Sequence, residues 1–132
     1  MRTDIYSAQK RYEALSITSR IEGASPHELV VILYQELLRS LDVARSALVV
    51  GKADAFRSGR ERSISILIAL EASLDFDQGG DLAALLGGIY GSMRRELASF
   101  GAGNSPEKLE ALRSGIAELL DAWARIGARQ AA

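Results

Sequence analysis

Apolar residues recur at intervals of three and four along most of this chain, and nowhere do they sustain the alternation that a half-buried strand requires. The pattern predicts an all-α protein. Its clearest start signal is Ser25-Pro26-His27-Glu28: Ser25 is a favoured N-cap, Pro26 sits where a missing N–H costs nothing, and Glu28 completes a capping box. A helix is expected from Pro26 to Val50, with Val30, Leu33, Tyr34, Leu37, Leu41, Ala44 and Leu48 on one stripe, widened by Val31 and Leu38 and stopped by Gly51. A second should run from Ala53 to Leu74, its charged first half, Arg57 to Arg62, facing water. The cluster Asp75 to Gly80 reads as a turn, so the third is expected to begin near Asp81 and to reach Phe100. Ser105-Pro106 repeats the start signal for a fourth, which carries Leu109, Leu112, Ile116, Leu119, Leu120, Trp123 and Ile126 and should end near Gly127.

Four helices joined by short loops imply antiparallel neighbours. The expected architecture is an antiparallel up-and-down four-helix bundle with an N-terminal arm or short extra helix: arm 1–24, a single bundle domain 25–127, and a tail 128–132. The arm's apolar residues, among them Tyr6, Tyr12, Leu15 and Ile17, are too few and irregular for a stable isolated helix yet too apolar for a solvated tail. They are expected to act as a lid, covering an apolar groove and yielding when a partner helix arrives.

Two further features exceed what a plain bundle needs. Gly87, Gly88 and Gly91 lie within the third helix, where each costs about 1 kcal/mol relative to alanine. Either another backbone approaches closely there or the bundle itself packs tightly. The second and third helices also carry wider apolar faces than a core consumes, which places a groove at Ile66, Leu67, Leu74, Leu82, Leu86, Ile89 and Tyr90.

Composition narrows the chemistry. Sixteen Lys and Arg against 17 Asp and Glu leave a formal net charge of -1, so nucleic acid is not an expected partner. The absence of cysteine removes disulfides and thiol chemistry and suits the cytoplasm. No apolar run approaches the ~20 residues of a membrane span, so no membrane insertion is expected. His27 is the sole histidine, too few for a di-metal carboxylate bundle, and the glycines of the third helix do not form a phosphate loop. No catalytic residue, metal or cofactor is expected; the rival reading is a histidine phosphotransfer bundle using His27.

In order and spacing, several fragments resemble the flagellar secretion chaperones, the FliS family: Tyr12, Ala24-Ser25-Pro26-His27-Glu28-Leu29, Leu33-Tyr34, Leu74-Asp75, Gly79-Gly80-Asp81-Leu82-Ala83, Ile89-Tyr90, Met93-Arg94-Arg95 and Ala122-Trp123. The resemblance implies a non-enzymatic type III export chaperone that holds the C-terminal helical segment of flagellin in apolar grooves, prevents premature polymerisation, and delivers it to a flagellar export gate protein. A weak homodimer is compatible with it. The chain departs from the family pattern at Tyr90-Gly91-Ser92-Met93, where Tyr-Asp-Tyr-Met is usual, at Ser99 to Gly103, and at Gln9, where an aliphatic residue is common.

Overall fold

The computed structural model describes residues 20–101 and 103–131, with side chains as far as residue 126. It is all-helical in these residues, with four long helices: α1 Pro26–Val50, α2 Ala53–Ala72, α3 Phe76–Ala98 and α4 Pro106–Ala131. Arg20 to Glu22 are helical as well and precede a turn at Gly23.

The caps explain the boundaries. At the start of α1 the Ser25 hydroxyl accepts the Glu28 amide at 3.2 Å, and the helix ends where Gly51 adopts φ 76 and returns its N–H to the last turn. A side chain at that φ would be strained, which is why glycine stands there. Four ends differ from expectation, the first being that α2 stops at Ala72 rather than Leu74. The turn-forming cluster after α2 is itself helical, because the Asp75 carboxylate accepts the Asp77 and Gln78 amides, each at 3.1 Å, and so satisfies the free N–H groups of a new first turn. Gly80, at φ 52, then kinks α3. The helix closes at Ala98 rather than Phe100, and α4 continues through Gly127 to Ala131.

α1 packs on α2 and α4, and α2 packs on α3. Each of these seams carries an ion pair: Arg62 to Glu36 at 3.3 Å, Arg113 to Asp42 at 2.6 Å, and Arg94 to Glu71 at 3.1 Å. The core between them holds Leu37, Leu41, Leu67, Leu70, Leu97, Leu109 and Ile116, all buried. α3 and α4, by contrast, make few close backbone approaches. They meet through side chains, as where Met93 lies against Gly115, and among the described residues no ion pair joins them. A bundle held on three seams and loose on the fourth must leave an opening along that fourth seam.

Candidate functional site

That opening is an apolar groove of about 600 Å³ at the end of the molecule where α1 begins, α2 gives way to α3, and α4 finishes. One wall is α3, which supplies Leu82, Ala83, Leu86 and Tyr90; Leu74 and Asp75 close the corner; Pro26, His27 and Val30 come from α1, and Trp123 and Ile126 from α4. The polar lining is confined to Ser25, His27, Ser73, Asp75 and the phenol of Tyr90.

Two contacts fix the walls. The His27 and Trp123 rings stack at 5.1 Å with an interplanar angle of 8°, and the Trp123 indole N–H donates to the His27 carbonyl oxygen at 3.2 Å. Together they tie the first turn of α1 to α4. One face of the imidazole is thereby covered, which gives it the role of a packing surface in the groove wall. Deeper in, the Tyr34 and Tyr90 hydroxyls hydrogen-bond to each other. Both residues are nearly sealed, at 1% and 2% exposed.

Burial raises both phenols above their ordinary pKa of 10.0; for Tyr90 the hydrogen bond and the charge of Tyr34 push the same way, while for Tyr34 the bond partly opposes the burial. In the unfolded chain these tyrosines ionise at their ordinary value, so above that pH the unfolded state holds fewer protons than the native state. Stability is therefore complete below about pH 10 and falls as the pH rises further, by up to about 1.4 kcal/mol per pH unit for each protected phenol. Urea midpoints measured from neutral pH to about pH 11 should show this loss, and Tyr90→Phe should make it shallower. An unchanged slope in that variant would exclude the pair as its source.

Of the residues expected from sequence at the groove, Leu74, Leu82, Leu86 and Tyr90 come together in it. Ile89 lies on the other flank of α3, beside Leu85, Gly88 and Met93. Ile66 and Leu67 are interior residues of α2, the latter 1% exposed, because their positions on the helix point at α1 and α3 rather than outward. The wall formed by His27, Val30, Trp123 and Ile126 was not anticipated, although Pro26-His27 and Trp123 both belong to the fragments that carry the family resemblance. The lid residues Tyr6, Tyr12, Leu15 and Ile17 lie outside the described residues.

The glycines of α3 divide: a Cβ at Gly91 would stand 3.2 Å from an Arg95 guanidinium nitrogen and 3.5 Å from Glu71 Oε1, so side chains of the bundle itself crowd that position, whereas Gly87 and Gly88 are less confined. A Cβ at Gly87 would make ordinary contact, 3.4 Å from Leu74 Cδ1 and 3.6 Å from Phe76 Cζ, and one at Gly88 would meet nothing within 4 Å. Tight packing within the bundle is therefore not what calls for glycine at either position. Among the described residues no cluster of three or more His, Cys, Asp or Glu is placed to hold a metal ion. No described helix is long and apolar enough to cross a membrane.

Compared with known proteins, the chain matches the family model described as flagellar protein FliS over residues 8–130. It is 30% identical over 121 residues to the flagellar secretion chaperone FliS of Salmonella typhimurium, covering 91% of this chain and 90% of that protein. Against the FliS chaperone of Vibrio cholerae the identity is 27% over 115 residues, 87% of this chain and 85% of the relative. Against the flagellar secretion chaperone FliSB of Pseudomonas aeruginosa it is 28% over 116 residues, 88% and 92%.

Proposed function

Because the chain belongs to the FliS family of non-enzymatic flagellar secretion chaperones, we propose that its groove receives an amphipathic helical segment from the C-terminal region of flagellin. The observation that carries this reading is the loose α3–α4 seam. It leaves Leu74, Leu82, Leu86, Tyr90, Val30 and Trp123 around an apolar opening rather than sealed in a fourth interface. A client helix laid there presents its i, i+3, i+4 and i+7 side chains to these walls and loses the apolar stripe by which it would polymerise. The chemistry is burial alone, and no bond is made or broken. In this reading the chaperone works in the cytoplasm and releases its client to a flagellar export gate protein. Phosphotransfer through His27 is disfavoured by the ring's stacking on Trp123.

The test is size-exclusion chromatography of the chaperone mixed with flagellin, and with flagellin lacking its C-terminal segment. A 1:1 complex is expected with the first and none with the second. Equal retention of both would move the client contact away from that segment.

A further inference from the structure

The groove lies at one pole of a charge-polarised bundle. From Ser63 to Met93, through the second half of α2 and most of α3, the chain has no Lys or Arg but carries the carboxylates Glu71, Asp75, Asp77 and Asp81. Glu71 is paired with Arg94, and Asp75 caps α3. Asp77 and Asp81 are exposed and form no ion pair among the described residues. Asp75 and Leu82 both line the groove, so these two unpaired carboxylates belong to the stretch that builds its α3 wall. Glu28 adds another in the first turn of α1, while Asp121 on α4 is matched by Arg125 at 2.7 Å. The cations gather at the other end. Lys52, Arg57, Arg60 and Arg62 stand in or just before the first half of α2, beside the last turns of α3 with Arg94 and Arg95, where the Arg60 guanidinium donates to the Phe100 carbonyl oxygen at 2.7 Å.

A formal net charge of -1 conceals this separation. The backbone does not offset it: at the groove end the N-termini of α1 and α3 stand with the C-termini of α2 and α4, so the helix dipoles oppose one another and the side chains set the field. Low-dielectric walls beside unpaired carboxylates concentrate that field at the groove's mouth. We propose that the groove selects amphipathic helices of net positive charge, which the field of Asp77 and Asp81 draws in before contact. This rests on the reading of the groove as the client site: the apolar walls bind, and the carboxylates act on what approaches them. Because the contact itself stays apolar, the charges govern the rate of association and leave dissociation nearly unchanged. A segment with the same apolar stripe but acidic outward positions is held off.

Two synthetic amphipathic helices with an identical apolar stripe, one carrying Lys and the other Glu at every outward position, separate charge from burial. Their binding to the full chain is followed by stopped-flow emission of Trp123, the single tryptophan, which stands in the groove wall. At low ionic strength the Lys peptide should associate at least about tenfold faster than the Glu peptide, with dissociation rates that agree within about threefold. In about 1 M salt, where the Debye length is about 3 Å, the gap in association should shrink to less than about threefold. Replacing both carboxylates, Asp77→Asn with Asp81→Asn, should narrow the low-salt gap by at least about threefold. Equal association rates at low salt, or a gap that survives either the salt or the double variant, would overturn the steering. Silence of Trp123 with both peptides would overturn it too, and silence with flagellin as well would remove the groove reading on which it rests.

Discussion

Leu82→Asp is expected to weaken flagellin binding by about a hundredfold or more while leaving helix content and the unfolding midpoint close to those of the parent. Leu82 lines the groove yet is 52% exposed, so the free protein loses little when it is replaced. Contact with a client is another matter. The variant forfeits part of the about 1.5–3 kcal/mol that burying a leucine contributes, and a carboxylate must be stripped of water against an apolar helix with no cation to meet it. Together these exceed about 3 kcal/mol, which is more than two decades in affinity. The single tryptophan gives the readout, because Trp123 stands in the groove wall and its emission should respond to occupancy. Leu86→Asp is a poorer probe: Leu86 is 6% exposed and belongs to the core, so that variant buries a charge in the interior and its loss of binding would report the fold. Unchanged affinity in folded Leu82→Asp would put the client elsewhere on the surface.

The same contrast shows what the sequence made legible. The helices were readable because their start signals act locally: Ser25 and Ser105 cap the turns that follow them through bonds spanning two or three residues. The corner between α2 and α3 was misread for an equally local reason. Gly79-Gly80 looks like a loop, but the Asp75 side chain reaches forward and converts that stretch into a helical turn. The groove was half legible. The apolar face of α3 has a period, so Leu82, Leu86 and Tyr90 could be picked out from spacing alone. Which neighbour stays away from α3 has no period. It depends on the loose seam to α4, a tertiary property, and this is why Trp123 and Ile126 read as core stripe when they form the far wall. Ile66 and Leu67 erred in the opposite direction: a wide apolar face on α2 proved to be flanked by helices on both sides.

The second large effect concerns the seam that is tight. Gly59→Leu should destabilise the protein by about 3 kcal/mol, the upper part of the range for overpacking, whereas Gly88→Ala should stabilise it by up to about 1 kcal/mol, the helix-propensity difference. Both glycines interrupt a helix, and spacing does not distinguish them; their surroundings do. A Cβ at Gly59 would stand 3.0 Å from the backbone nitrogen of Ala44 and 3.1 Å from its Cα, atoms that shift only if α1 itself moves. One turn away the Ser40 and Ser63 hydroxyls bond to each other at 2.7 Å across the same seam, so the two helix axes are drawn together by small residues over at least two turns. A leucine side chain there has to push the axes apart, breaking the serine contact and loosening Leu37, Leu41 and Leu67 beyond it. A Cβ at Gly88 meets nothing, so alanine there only narrows the freedom of the unfolded chain. Thermal unfolding followed by circular dichroism should therefore move the two midpoints in opposite directions, and movement in the same direction would mean that the close approach of α1 and α2 is not what requires Gly59. If Gly88→Ala raises the midpoint yet weakens flagellin binding, the room kept open at Gly88 is used by the client's backbone, and the propensity that α3 forgoes there is tied to binding rather than to the fold.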